Sequence, residues 1–399
     1  MPIQIRDPIH GSIDLSVNEL KLIDHRAFQR LRDIKQLGFA DLAFPGATHS
    51  RYIHSLGAMA MATRVFDALF KPGDLDENAR KRMRQAIRLA AMLHDLGHAP
   101  LSHSSEIRMP SKKSLGLEGE GRASHEDYTY ALLTDSSFSK EIERLFADVG
   151  VSPADITTLD FKIGPLSYQP LMKQIISSEC DADRMDYLQR DSFYCGVNYG
   201  KFDADWLVST LVPIEIEGAV HLGIRSKGMF SFEDFLLSRY HMFASVYLHH
   251  TPVIYEKMLQ RYFEESEDAF SLPSDLEAYI QLDDVDLQHH LRISQNPWAK
   301  RIVAHKPYAL LADEMTESEH RGLCQRLETE GIDYIQTQSK SAISKYFDSS
   351  AHPLYVLTKR GEVMALEAYT ELFSRYQRPA QFNRIYVAPN DKSRASQLS

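Results

Sequence analysis

Apolar residues recur at three- and four-residue spacing through Ile53, Leu56, Gly57, Ala60, Met61, Val65, Ala68 and Leu69, and again through Met83, Ile87, Ala90 and Ala91. That period predicts two core-facing helices. Gly73-Asp74 separates them as a turn, and Gly97 with Pro100 ends the second. A third helical block starts near Pro170 and runs through Asp191, until Cys195-Gly196 and Asn198 break it. On it Asp183, Tyr187 and Asp191 share one face at i, i+4 and i+8. The period then switches to two on either side of Glu217-Gly218, which predicts a β-hairpin near 212–225. A long helical stretch over 232–263, bent near Pro252, follows. The polar, Gly-rich and aperiodic residues 108–124 predict a mobile loop between His103 and His125, placed to cover a site.

Beyond about residue 270 the character changes. Residues 353–366, split by Arg360-Gly361, predict another hairpin, 367–376 a helix and 383–387 a strand, with the last dozen residues a flexible, frayed tail. The expected architecture is therefore mainly α: a helical core over 1–265, with a hairpin inside it, and a small α+β region over 266–399. No internal repeat, low-complexity tract or heptad run is present.

Composition narrows the class. With 43% hydrophobic and 25% charged residues in 399, the chain has the make-up of an ordinary globular protein with a sizeable core. A formal net charge of −10 argues against a general nucleic-acid coat, although a local basic pocket remains compatible with it. Cys180, Cys195 and Cys324 are scattered and form no CxxC pair, which suits a reducing compartment. The chain opens without a signal segment, and no stretch approaches the roughly 18 apolar residues of a membrane helix. The expected location is cytoplasmic.

The densest chemistry lies in 93–103, where His94, Asp95, His98 and His103 fall at the point where a helical pattern gives way to Gly and Pro. A helix end lets neighbouring side chains converge, so His94 and Asp95 can both face one ion. Imidazole nitrogens with a carboxylate oxygen suit first-row divalent metals. Further ligands must then come from other helices. The candidates are His54, at the start of the first amphipathic helix, and Asp183, on a segment with more acids than a buried helix tolerates unpaired. Each alone reads equally as a surface charge or a satisfied core histidine.

Taken together, His, then His-Asp, then Asp on three separate helices resembles the HD superfamily of metal-dependent phosphohydrolases. The likeness extends to Asp7-Pro8-Ile9-His10-Gly11, the runs at 28–38 and 44–57, and Asp183-Arg184-Met185-Asp186-Tyr187, a series similar to the deoxynucleoside triphosphate triphosphohydrolase branch. The resemblance covers roughly residues 5–260. It implies an HD-domain helical core with His54, His94, Asp95 and Asp183 holding one divalent ion. Mn, Mg, Zn, Fe and Ni are not distinguished, and the spare histidines leave a second ion open. His103 is implied as general acid, with His125 and the acid Glu106 as a further catalytic pair. A histidine titrating near pH 6.5 is suited to that work. Phosphate contacts are implied at Arg51, Arg184 and Arg239, whose guanidinium forks match phosphate oxygens. Sugar and base recognition falls to Gln36, Leu37, Tyr187, Asp191 and Tyr247. Asp24, Gln29 and Arg32 resemble positions that bind a nucleotide activator at a subunit interface in some relatives, so a homo-oligomer is expected.

The expected function is hydrolysis of deoxynucleoside triphosphates to deoxynucleoside and inorganic triphosphate. The alternatives are an HD phosphohydrolase acting on another nucleotide or phosphoester, and a nucleotide-binding regulator.

Overall fold

The helix Arg51–Leu69 is buried on nearly every side, including His54, Ser55, Gly57, Met59, Met61 and Phe66, because its sequence is apolar or small around the whole circumference. In the computed structural model, which describes residues 3–341, 353–370 and 380–398, this helix is the axis of the molecule. Glu77–Leu93 packs antiparallel to it after the 70–76 turn, N-capped by Asp76. Ala182–Cys195 packs on it as well. Gly57 makes that second contact possible: a Cβ there would lie 2.0 Å from Asp186 Oδ1 and 2.1 Å from Arg190 Nη2. The chain is mainly α with small sheets, as the periodicity predicts.

The single helical block expected over 170–191 is two helices, Gln169–Ile176 and Ala182–Cys195. Asp181 is the N-cap that starts the second, accepting from Arg184 N at 2.7 Å and Ser178 N at 2.8 Å. Asp183 therefore lies in a first helical turn. Likewise the long stretch over 232–263 divides into Met229–Met242, a π-helical turn over Phe243–Tyr247, and His250–Glu265. Its break falls at 248–249, so Pro252 sits in a first turn, where a missing N–H does no harm.

The strands Leu211–Ile216 and Ala219–Arg225 form the expected hairpin, turning on Glu217 and Gly218, both left-handed. Two strands escaped the helical reading of the N-terminus: Ile3–Asp7 pairs antiparallel with Gly11–Leu15. Their alternation of Ile3, Ile5, Ile13 and Leu15 was visible in the sequence. The expected C-terminal hairpin is present as Tyr355–Leu357 and Val363–Ala365, and it does not stand apart. Tyr355–Leu357 pairs parallel with Ala219–Arg225, and Leu354, Val356 and Leu366 join the apolar cluster built on the central helices.

A second apolar cluster gathers 254–302 around Tyr128, Tyr262 and Tyr279. A small third cluster lies under the sheet of Ala309–Ala312, Ala380–Val387 and Tyr334–Ser341. Of the helix expected over 367–376, Leu366–Tyr369 forms a turn and residues 371–376 lie outside the described residues. The tail differs from a frayed end through residue 398. Ala395 is fully buried, and Arg326 Nε donates to Leu398 O at 2.6 Å. Among the described residues no helix is long and apolar enough to cross a membrane.

Candidate metal centre and its cavity

Three helix ends meet at one point. Arg51 and His54 come from the first turn of Arg51–Leu69, His94 and Asp95 from the end of Glu77–Leu93, and Asp183 from the first turn of Ala182–Cys195. His54 Nε2 lies 3.0 Å from Asp183 Oδ1 and 3.6 Å from Asp95 Oδ2. His94 Nε2 lies 3.3 Å from Asp95 Oδ1 and 3.4 Å from Asp183 Oδ1. Donor atoms about 2 Å from a common ion stand about 3 Å from each other, so these spacings fit a divalent cation. The other nitrogen of each imidazole is engaged: His54 Nδ1 donates to Asp186 Oδ2 at 2.8 Å and His94 Nδ1 to Ala91 O at 2.8 Å. Both rings are thereby fixed with Nε2 facing the cluster.

The electrostatics agree. Burial pulls the pKa of His54 down, but the Asp183 and Asp186 carboxylates outweigh it and hold it up to about 10. Burial likewise opposes the protonated form of His94, while Asp95 and Asp183 raise it to about 9. Against burial, Arg51 and the neighbouring imidazoles keep Asp95 well below the usual carboxylate range, and His94 and His54 do the same for Asp183. In the metal-free chain the two imidazoles and Arg51 balance the carboxylates of Asp95 and Asp183; a divalent ion at this point would take over that role from the imidazole protons.

The turn following His94 is pinned from behind. Gly97 N donates to Thr129 Oγ1 at 2.9 Å, and a Cβ on Gly97 would lie 2.2 Å from His125 O. That close approach brings the start of the helix His125–Thr134 beside the cluster. His98 and His125 stack with ring centroids 4.0 Å apart, and His103 meets both rings edge-on at 4.9 and 5.0 Å. Glu106 Oε1 accepts from His103 Nδ1 at 2.8 Å and from His125 Nδ1 at 2.5 Å. Those two hydrogen bonds and the imidazole charges overcome burial and keep the Glu106 carboxyl low. His98 points Nε2 at Asp95 Oδ1, 3.2 Å away. Burial and the Arg51 charge hold His98 well below its ordinary value. His98, His103, Glu106 and His125 also form a second set whose donor atoms could hold an ion.

Both clusters open on a cavity of about 710 Å³. Gln36, Leu37, Arg51, Arg184, Tyr187, Asp191 and Tyr247 line it together with His103 and His125. Arg51 Nη1 donates to Asp95 Oδ2, and Arg184 Nη1 donates to Ser178 O at 2.5 Å. Tyr247 Oη donates to Asp191 Oδ2 at 2.7 Å, and the other oxygen of Asp191 faces His49 Nε2 at 2.8 Å. Arg239 is not on the wall: it is buried behind it, 3.3 Å from Glu179 Oε2. Glu106 also stays off the wall, behind its two histidines. None of residues 108–124 lines the cavity, so the loop expected to cover a site does not do so in this conformation. Asp24, Gln29 and Arg32 lie outside it too, with Arg32 stacked over the Tyr52 ring at 3.6 Å.

Several residues here carried no role in the sequence reading. Asp186 accepts from His54, from His10 Nε2 at 2.6 Å, and from Arg190 Nε and Nη2 at 2.9 and 2.8 Å. Arg190 also reaches Asp7 at 2.8 Å. Asp186, three residues after Asp183, and Asp7 and His10, in the Asp7-Pro8-Ile9-His10-Gly11 motif, were marked by the sequence, but only the fold brings them together. Glu256 lines the cavity as well, and burial pushes its carboxyl up to about 7 against the pull of Lys257.

The HD domain family model matches residues 51–191, and the model for the HD-associated region matches 202–306. The uncharacterized protein YwfO of Bacillus subtilis is 30% identical, the match covering 86% of this chain and 74% of that one. The deoxynucleoside triphosphate triphosphohydrolase SAMHD1 homolog of Dictyostelium discoideum is 28% identical over 73% of this chain and 55% of its own. A solved structure of a hypothetical protein from Aquifex aeolicus matches over 100% of both chains with a TM-score of 0.80 and 28% identity. The chain spans between 50% and 74% of the length of the curated relatives it matches. With its cluster of two histidines and two aspartates on three helix ends, the chain belongs to the HD-domain family of metal-dependent phosphohydrolases.

Proposed function

We propose that the chain hydrolyses deoxynucleoside triphosphates to deoxynucleoside and inorganic triphosphate at one divalent-metal centre. The observation that carries this reading is a single chamber in which the His54–His94–Asp183 cluster, Arg51 and Arg184, and the Tyr187–Asp191–Tyr247 wall all face the same space. A triphosphate needs the cations, and a sugar needs the polar wall.

His54, His94, Asp95 and Asp183 would hold the ion, which when bound supplies Lewis-acid polarisation and water activation. Arg51 and Arg184 neutralise phosphate oxygens as charge shifts onto them. Water attacks the α-phosphorus, a new P–O bond forms, and the bond from phosphorus to the sugar 5′-oxygen breaks. His103 delivers a proton to that departing oxygen, and His125 takes one from the attacking water. Glu106 orients His103 and His125 through their Nδ1 atoms, leaving each Nε2 to exchange protons. Tyr187 and Asp191 meet the sugar 3′-hydroxyl. Tyr247, fixed by Asp191, stands where a ribose 2′-hydroxyl would need room, and a tight wall excludes it better than an apolar pocket.

The test is product analysis with purified protein, Mn or Mg, and a panel of dNTPs, NTPs and monophosphates. Triphosphate released from dNTPs is the expected product. Orthophosphate alone, activity confined to monophosphates, or nucleotide-dependent stabilisation without turnover would refute the reading. His94→Ala and Asp183→Ala should each abolish metal retention.

A further inference from the structure

The 35–37 segment, which brings Gln36 and Leu37 to the cavity, and the 101–103 segment, which brings His103, are tied together from outside by one buried carboxylate. Asp284 begins the helix Asp284–Ile293 and is 4% exposed. Its two oxygens are divided between the segments: Oδ2 accepts from Lys35 N–H at 2.9 Å, and Oδ1 from Leu101 N–H at 2.7 Å. The Lys35 ammonium is not its partner, being turned to Asp41 Oδ2 at 2.6 Å. A second link runs alongside, since Ser102 Oγ donates to Lys35 O at 3.0 Å and accepts from Arg51 Nε at 2.8 Å. Arg51 in turn reaches Asp95. One hydrogen-bonded run therefore leads from Asp284 through Lys35, Ser102 and Arg51 to the metal cluster.

The backbone at the clamp does not hold its shape unaided. Leu101 and Ser102 are consecutive non-glycine residues at φ +55° and +56°, a conformation kept only where surrounding contacts over-determine it. The next residue is His103. The same region supports the neighbouring turn: Tyr279 Oη donates to Gly97 O at 2.7 Å, and Arg30 Nη1 donates to Leu96 O at 3.2 Å while Nε binds Leu282 O at 3.0 Å. Tyr279, and Leu282 through Arg30, thus brace the His-Asp motif from far along the chain.

We propose that Asp284 is a positioning residue of the hydrolytic site, fixing the spacing of the 35–37 and 101–103 segments so that Gln36, Arg51 and His103 face one bound nucleotide. The proposal rests on the function read above. It requires a side chain with two acceptor oxygens and no donor, which only a carboxylate provides at this length. Asparagine offers one oxygen and presents an NH₂ to the other backbone N–H. The variant therefore releases one segment while keeping the shape of the side chain.

The experiment compares full-length wild type, Asp284→Asn and Asp283→Asn by metal content, melting temperature, steady-state dNTP hydrolysis with Mn, and peptide-level hydrogen exchange. Asp283 caps the same helix through Val285 N at 2.9 Å, and asparagine caps equally well, so that variant should match wild type in kcat. For Asp284→Asn the expected result is unchanged metal content, KM within about threefold, and kcat reduced about tenfold or more. Faster amide exchange should be confined to peptides spanning 34–37 and 99–104. A kcat equal to wild type overturns the proposal. So does a loss of activity that merely tracks lost metal or a general rise in exchange. If Asp284→Asn does not fold, Ser102→Ala breaks the parallel link and should show the same kcat-selective loss; a wild-type kcat there is equally fatal. Wild-type protein that hydrolyses no dNTP would overturn the substrate reading, whereas exchange unchanged at Lys35 and Leu101 would overturn the clamp itself.

Discussion

Asp186→Asn tests the support beneath His54. The carboxylate is fully buried and receives four donors, arranged in two pairs: Oδ2 takes His54 Nδ1 and Arg190 Nε, and Oδ1 takes His10 Nε2 and Arg190 Nη2. Asparagine fits the space left by Gly57, but it can serve only one pair through oxygen. His10 can change tautomer and accept from the new NH₂, because its Nδ1 has no side-chain or backbone partner to lose. The guanidinium cannot accept, so Nη2 faces a donor at close range and Arg190 keeps only Asp7 as counter-charge.

Removing one partner of a buried ion pair destabilises by about 3–5 kcal/mol. The retained oxygen and Asp7 put Asp186→Asn at the lower end, and Asp186→Ala, which loses all four contacts, at the upper. The metal should feel less. Loss of a hydrogen-bond partner behind a ligating histidine lowers metal affinity about 10- to 100-fold, and Asn still accepts from His54, so about tenfold is expected. The assays are thermal unfolding with and without added Mn and a metal titration by calorimetry. For a chain of this size the fall in melting temperature should be on the order of 3–6 °C, with Asp186→Asn at the low end. An unchanged melting temperature with unchanged metal affinity would show that the network contributes nothing, and the account of His54 would fail.

Metal uptake should release protons. In the metal-free chain His54 and His94 are held up to about 10 and about 9, so both are charged at pH 7 and must deprotonate to bind an ion, giving up to about two protons per metal. Because these pKa values lie above the unfolded value of about 6.5, the pair's contribution to stability is full below that pH and is lost as pH rises toward 9–10. Calorimetry in buffers of different ionisation enthalpy measures the release; none at pH 7 would refute the protonated state. Glu106→Ala removes Oε1, the one oxygen that accepts from both His103 and His125, so kcat should fall about 10²- to 10⁴-fold with metal content unchanged, as read by steady-state kinetics and elemental analysis. Gly57→Ala forces a Cβ to within 2.0 Å of Asp186 Oδ1 and should cost about 3 kcal/mol or more in urea unfolding, with metal lost alongside. Tyr247→Ala removes the wall at the sugar, so the dNTP-to-NTP ratio of kcat/KM should drop by up to about 100-fold; an unchanged ratio would move sugar selection elsewhere.

What the sequence discloses follows from how far each interaction reaches along the chain. Helix periodicity is local, so the axes Arg51–Leu69 and Glu77–Leu93 could be read directly, and the hairpin on Glu217-Gly218 needed only a change of period and a turn dipeptide. The four residues of the metal cluster lie in segments whose residue types are unusual for their surroundings, which made them candidates before any fold was known. The break at 177–181 was missed because the apolar pattern runs through it. Asp181 decides it by capping the next helix, and Asp is equally common on a continuous helix face.

The support structure is another matter. Asp186 meets His10 across 176 residues, and Asp284 meets Leu101 across 183 and Lys35 across 249. An acid buried to accept backbone N–H groups has no periodicity, no paired charge and no motif, so Asp284 reads as one more carboxylate in Asp283-Asp284-Val285-Asp286. The physical demand on it arises only after folding, when Leu101 and Ser102 are bent into left-handed conformations costing about 1–3 kcal/mol each and two amides are left facing a dry interior. The candidate ligands can thus be picked out by residue type, while what makes their placement precise is held in contacts between the HD helices and the region that follows them. That division predicts where substitutions should separate metal binding from turnover: ligand changes abolish both, and changes at the bracing residues Tyr279 and Asp284 should spare the metal and slow the chemistry.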